Sequence, residues 1–390
     1  MKRIRVARAA RVAVFLAILM LLGLLSACSS APPDDGATGR DPLGNGWQPT
    51  STMDLEYAQN FSVDYFNGGY ALISISNGDR FLVVPEDADT PDDVDEDIVI
   101  LKRPVDHIYL VATSTMCLFD ALDSLDAIAL SGTKADGWYV ENAKTAMQDG
   151  DILYAGKYSR PDYELILATG CRLAIESTMI NHTPEVKEKL QEIGIPVLVE
   201  QSSLEEHPLG RTEWIKLYAA LMGKEDVAEN IFNDQIDYLD SVSNLENTGK
   251  TVAFFYINSM GSAVVRKPGD YVTKMIDLAG GNYIFDELGD PTVATSTVTM
   301  EFEAFYAAAK DADFIIYNST IDGGVFTIDQ LIGKSNLLAD FKAVKTGNVW
   351  CTEQNLYQET TKLGLMTADI HQMLVGGDDL EKLSFMYKLQ

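Results

Sequence analysis

The chain has 390 residues, 58 of them acidic and 30 basic, for a formal net charge of −28. So acidic a surface repels phosphate backbones and anionic lipid headgroups, which argues against nucleic-acid binding and favours cationic partners. The four histidines (His107, His182, His207 and His371) show no metal-ligand spacing, so neither a protein-built zinc site nor a resident cofactor is expected.

The first 27 residues have the pattern of an export leader. Lys2, Arg3, Arg5, Arg8 and Arg11 form a basic head, and Val12 to Leu25 is an uninterrupted apolar run. A helix of about 14 residues spans about 21 Å, short of the ~30 Å hydrocarbon core, so a permanent spanning helix fits poorly. Leu25-Ser26-Ala27-Cys28 resembles the lipobox of bacterial lipoprotein signal peptides. That resemblance implies cleavage before Cys28 and diacylglyceryl attachment to its sulfur; an ordinary secretory signal with an incidental cysteine is the alternative. Without the leader, 25 basic residues face 58 acidic ones, a net charge of −33. Residues 28–50 are rich in Ser, Pro, Gly and Asp and lack apolar periodicity. They predict a flexible tether reaching roughly 25 Å.

Residues 51–103 open the globular part. Phe61–Phe66, Tyr70–Ile75 and Arg80–Val84 are β-rich runs separated by Asn67-Gly-Gly and Asn77-Gly-Asp, a strong hairpin signal. A small antiparallel meander is expected, followed by an acidic loop from Pro85 to Asp97. From residue 104 to 206 short apolar strands (107–112, 128–130, 172–176 and 195–199) alternate with helical patterns, which argues for a parallel sheet covered on both faces. The helix after Thr183 has Pro184 at its first position and Gly194 past its end. Residues 207–248 carry two helical patterns and no strand. A second α/β set, 249–390, begins at Thr251–Ile257, continues with strands at 313–317 and 348–352, and closes with a helix over about 358–375. The fold class is therefore α/β: lobe, helical spine, lobe.

Cys117, Cys171 and Cys351 lie in apolar neighbourhoods outside any C-x-x-C pair, so small buried hydrophobes are expected, with a Cys117–Cys171 bridge as the alternative. No G-x-S-x-G, P-loop or paired-carboxylate motif points to an enzyme. Ligand would lie where loops leave the C-terminal strand ends, between the lobes. The candidates there are Thr113, Ser114, Lys134, Trp138, Tyr139, Lys157, Arg160, Thr178, His182, Arg211, Arg266, Asn318 and Tyr357. The aromatics offer surface to a large planar or catecholate ligand, and the basic residues would neutralise an anionic chelate. Arg211 opens the spine and could instead pair with Glu205 or Glu206; Trp138 could instead pack.

Over residues 104–390 the chain resembles the class III solute-binding proteins of ABC importers. The resemblance rests on the strand–polar–helix opening of His107–Leu122, on Gly156-Lys-Tyr-Ser-Arg-Pro-Asp-Tyr-Glu164 leading into Arg172-Leu-Ala-Ile, on Lys189-Leu-Gln-Glu-Ile-Gly-Ile-Pro-Val197, and on Trp214-Ile-Lys-Leu-Tyr-Ala-Ala-Leu-Met-Gly223 with the acidic helix behind it. Cys171-Arg172 stands where the family usually has Pro-Asp. The resemblance implies capture of a ferric siderophore first, with haem or a corrinoid next, any iron or cobalt arriving with the ligand. It further implies an ABC permease and ATPase as partners, a monomer held to the membrane by lipidated Cys28, and one exposed glutamate per lobe that docks onto permease arginines. Glu164 matches the first position and Glu303 the second, with Glu301 as a rival, because the spacing from Glu303 to its strand is about two residues longer than usual. A lipid-anchored sensor or adhesin without transport role would share the tether and lobes.

Overall fold

Asn-Gly turns and alternating apolar residues produce the first sheet. The structure is a computed structural model that describes residues 46–290, 297–376, 380 and 383–390. Residues 49–90 and 96–390 form one body; residues 1–48 and 91–95 form a second unit, of which 46–48 and 91–95 are described. The leader and Cys28 lie outside the described residues. Strands β1 (Ser51–Thr52), β2 (Phe61–Phe66), β3 (Tyr70–Ile75) and β4 (Arg80–Val84) pair antiparallel in order, and β5 (Ile98–Lys102) adds parallel to β4. The expected three-run meander therefore gains two strands, β1 and β5. The acidic stretch after Pro85 is the crossover that delivers β5, and a parallel neighbour needs a long connection rather than a tight turn.

The first lobe is a five-stranded parallel sheet of β6 (Ile108–Leu110), β7 (Ile128–Ser131), β8 (Leu153–Tyr154), β11 (Leu173–Ser177) and β12 (Val197–Glu200), in the order β12-β11-β6-β7-β8. A two-strand hairpin, β9 (Gly156–Lys157) with β10 (Arg160–Pro161), precedes the helix Tyr163–Ala168. One face of this sheet shares a core with the meander: Phe61, Val63, Ile73 and Phe81 pack with Ile108, Leu110, Trp214 and Leu217. The other face packs on the helices Tyr163–Ala168 and Pro184–Glu192 through Ile166, Val186 and Leu190. Cys117, Cys171 and Cys351 are free, buried thiols, so the Cys117–Cys171 bridge does not form.

The spine consists of the helices Pro208–Met222 and Glu225–Ser243, the first buried on nearly every side. The second lobe is built from β13 (Thr251–Ile257), β14 (Ala263–Arg266), β15 (Asn282–Tyr283), β16 (Thr297–Met300), β17 (Phe314–Tyr317), β18 (Val349–Thr352) and β19 (Met386–Lys388). Their order is β16-β14-β13-β17-β18-β19, with β15 beside β13. The spine is bonded into this lobe. Thr212 Oγ1 donates to the Thr360 carbonyl at 2.8 Å, and Leu365 N donates to Gln235 Oε1 at 3.2 Å. Gly364, in the last helix Leu363–Val375, lies so near the Gln235 carbonyl that a Cβ there would stand 2.1 Å from its oxygen. Only glycine permits that approach. Among the described residues no helix is long and apolar enough to cross a membrane.

Candidate functional site

Parallel strands send their C-terminal loops to one end of a sheet; in the first lobe those loops face, across a cleft, the loop after β18 and the segment that follows the antiparallel strand β14. A cavity of about 460 Å³ lies there, within the range of pockets that bury a drug-sized ligand. The first lobe lines it with Thr113 and Ser114 after β6, Met179 after β11 and Ser203 after β12; the spine contributes Arg211; the second lobe contributes Arg266, Gly269, Asp270, Tyr271 and Tyr357.

The second-lobe wall is locked by its own bonds. Arg266, at the end of β14, pairs with Asp270 at 3.1 Å and donates to the Tyr357 hydroxyl. Asn318 is fully buried behind them and donates Nδ2 to the same hydroxyl at 2.9 Å, so it props Tyr357 instead of lining the cavity. Asp270 also caps the helix Tyr271–Leu278 by accepting from Val272 N at 2.9 Å. Burial opposes the Arg266 charge, but the neighbouring Asp270 and Tyr357 more than offset it and hold the guanidinium above its usual range. Burial likewise pushes the Asp270 carboxyl up, while Arg266 and the Val272 N–H pull it back.

Arg211 is held differently. Its guanidinium stacks on the Tyr271 ring at 4.1 Å, its Nε is buried, and that nitrogen has no hydrogen-bond partner among the described residues. Glu205, offered by the sequence as its partner, accepts instead from Gln59 N, Asn60 N and Trp214 Nε1. Glu206 forms no ion pair with it among the described residues. The structure corrects a second expectation. Trp138 is not a cleft surface: it is 1% exposed, its ring packs in the first-lobe core, and its Nε1 donates to Ser131 Oγ at 3.1 Å.

Thr113, Ser114, Arg211, Arg266 and Tyr357 are thus brought together, and the other candidates are not among the lining residues. Thr178 faces Ser203 at 3.5 Å. His182 is exposed at the end of its turn, Lys134 sits 5.6 Å over the Tyr154 ring, and Lys157 and Arg160 face each other on the exposed β9–β10 hairpin. Tyr139 bridges the lobes beside the cavity. Its N–H donates to Gln358 Oε1 and Gln358 Nε2 donates to the Gly137 carbonyl, both at 2.8 Å, while its hydroxyl donates to Gln354. Because β7 lies on the far side of β6 from β11 and β12, this clasp closes one end of the cleft and leaves the Met179 end open. Replacing Gln358 by alanine should speed hydrogen exchange at the Tyr139 amide while changing the unfolding free energy in urea by less than about 0.5 kcal/mol, since the site is peripheral. Unchanged exchange at Tyr139 would show that the clasp does not form in solution.

A larger groove, about 520 Å³, lies at the opposite end of the first sheet among Glu86, Asp106, Asp123, Asp126, Arg103 and Lys224. Arg103 is spent there on the carbonyls that end the first spine helix, Ala220 and Leu221. Walls from both lobes, with two guanidiniums and two tyrosine rings on one side, make the cleft the better binding site. Sequence inspection missed Tyr271, Ser203 and Met179. An arginine and aspartate four apart in Arg266-Lys-Pro-Gly-Asp270, followed by an aromatic, was the available signal for Tyr271; nothing marks the other two.

Residues 111–356 match the family model described as periplasmic binding protein. An uncharacterized lipoprotein of Methanocaldococcus jannaschii is 25% identical over 343 residues, 82% of this chain and 80% of that protein. Among solved structures, a periplasmic haem-binding protein of Vibrio cholerae superimposes with a TM-score of 0.54 at 17% identity, covering 68% of this chain and 95% of its own. A molybdate periplasmic binding protein of Haemophilus influenzae gives 0.56 at 12%, covering 71% and 88%. The two-lobed α/β architecture with a helical spine is the class III solute-binding fold, and the chain belongs to the periplasmic binding protein family.

Proposed function

We propose that this protein is the lipid-anchored, extracytoplasmic solute-binding component of an ABC importer, and that it captures an iron chelate in the interlobe cleft and delivers it to a membrane permease. The observation that carries this reading is the cavity itself: in a strongly acidic chain, it gathers two guanidiniums and two phenol rings from the spine and the second lobe, facing the hydroxyls of Thr113, Ser114 and Ser203 on the first. Such a lining suits a partly aromatic, anionic ligand. A ferric siderophore is the first choice, with haem and a corrinoid next. Calorimetric titration of the purified protein with one of each tests it, with saturable binding of one class expected. Failure of all three would end the metal-chelate assignment.

Docking falls to Glu164 and Glu303. Each is exposed and is the second residue of its helix, Tyr163–Ala168 and Phe302–Ala309. Each helix is followed, after an equal gap, by a parallel strand, β11 or β17. The longer spacing from Glu303 to its strand is therefore absorbed by a helix of 8 residues in place of 6, which favours Glu303 over Glu301 at the N-cap. Changing both glutamates to alanine should leave ligand affinity unchanged and lower uptake by roughly tenfold or more, because rim carboxylates facing arginines set registration and on-rate. A double variant that loses ligand affinity would place them in the site instead.

Cys28 carries the anchor. Cys28→Ser should abolish acylation and leave either uncleaved precursor or unanchored protein, since each buried CH₂ of an acyl chain contributes about 0.8 kcal/mol. A serine variant that stays with membranes after full leader removal contradicts the lipid anchor.

A further inference from the structure

We infer that Arg211 is the residue by which the cleft selects ligands bearing an anionic group such as a carboxylate, phosphate or related oxyanion, and that Arg266, beside it, has no such role. The inference rests on the cleft being the ligand site and deepens that reading by naming the ligand's charge and its anchor. The two guanidiniums share one cavity but differ in what already occupies them. Arg266 is paired with Asp270 at 3.1 Å and also donates to Tyr357, so its charge and its donors are satisfied inside the wall. Arg211 forms no ion pair among the described residues, and its buried Nε donates to nothing. A guanidinium carries five donors in a rigid fork and cannot shed its charge. A partly buried guanidinium in a ligand cleft gains most from an acceptor that a ligand supplies.

The surroundings of Arg211 agree. Stacking on Tyr271 at 4.1 Å fixes its plane, so the orientation of its donors is set before a ligand arrives. Ser114 and Ser203, from the first lobe, line the same cavity. Two carboxyls approach without bonding Arg211: Asp270 is held by Arg266, and Glu200 accepts from Ser202 N at 2.8 Å. Arg211 therefore brings to the cavity a guanidinium that no carboxyl bonds among the described residues, with Ser114 and Ser203 lining the same space, and a single anionic group on the ligand completes it.

The test uses the unmodified protein with arginine side chains labelled at Nε, and three probes: citrate, ferric citrate, and a ferric trihydroxamate of zero net charge. Citrate in either form should move the Arg211 Nε–H resonance and leave that of Arg266 in place. Arg211→Gln should weaken citrate binding roughly tenfold to hundredfold, as expected for one charge-assisted contact, and Arg211→Lys should recover part of it. Binding of the uncharged trihydroxamate with equal loss in Arg211→Gln would overturn the anion assignment and leave chelate capture standing. Iron-free citrate at Arg211 with neither iron chelate bound would support the assignment and remove the chelate reading. An Arg211 resonance that answers to none of the three overturns it, and this readout does not depend on any variant folding.

Discussion

Replacing Glu213 by leucine should cost the folded protein about 3–5 kcal/mol, a large share of the 5–15 kcal/mol that typically holds a domain. Glu213 lies in the first spine helix, fully buried, and its two oxygens accept from the backbone N–H groups of Glu56, Tyr57 and Ala58 at 2.8–2.9 Å. Lys216 adds an ion pair at 3.2 Å. Glu205 takes the next two amides, Gln59 and Asn60, so two carboxylates serve five consecutive backbone donors. The strap comes so close that a Cβ on Gly210 would stand 3.0 Å from the Tyr57 carbonyl oxygen, and Phe61 then meets Trp214 edge-on at 5.0 Å. Leucine would leave three backbone donors short of an acceptor, while Lys216 keeps Glu229 at 3.1 Å and the Asp54 carbonyl at 3.2 Å, and an unsatisfied buried group costs about 1–3 kcal/mol. Urea unfolding at neutral pH measures the loss. Glu205→Leu should cost a similar amount, and the double variant less than the sum, because both hold the same strap. A loss below about 1 kcal/mol would mean that the meander is an appendage, not part of the first-lobe fold.

That clamp was invisible in the sequence, and the reason is physical. Strand and helix patterns arise from local periodicity, so β6, β7, β11, β12, β13, β17 and β18 and both spine helices stood out as apolar runs or stripes. A carboxylate inside a helix gives no local sign of whether it faces water or a backbone strap 155 residues away. The same limit explains β5, whose partner lies across the acidic crossover, and the antiparallel additions β16 and β19, which follow no tight turn. Trp138 shows the opposite error: a loop aromatic near strand ends looks like ligand surface until the hydroxyl of Ser131 is seen to take its indole N–H. The cleft was legible where chain order alone dictates it, because loops after parallel strands must share one end. Division of labour between Arg211 and Arg266 required knowing that Asp270, four residues on, faces back.

Stability should rise when Glu176 is replaced by glutamine, and the gain should depend on pH. Glu176 lies on β11, fully buried, and neither carboxyl oxygen has a partner among the described residues. Burial alone drives its pKa from 4.5 up to about 8. Below about pH 4.5 folded and unfolded chains both hold the proton, and the group costs nothing. Between 4.5 and 8 the unfolded chain releases the proton while the fold keeps it, so stability falls by up to about 1.4 kcal/mol per pH unit. Above 8 both are ionised and the penalty levels off. At pH 7 the cost is therefore about 3 kcal/mol. Glutamine removes the ionisation and keeps the shape, although its amide is also left short of partners, which trims the gain to roughly 1–3 kcal/mol. Urea unfolding of both proteins at pH 5, 7 and 8.5 should give curves that nearly coincide at the lowest pH and separate progressively toward the highest. The overall acid–base balance of so acidic a chain cancels in that difference. A separation constant across the three pH values would mean that Glu176 is solvated or partnered, and a variant less stable than the parent at pH 8.5 would mean that its carboxylate is a bonded structural anion.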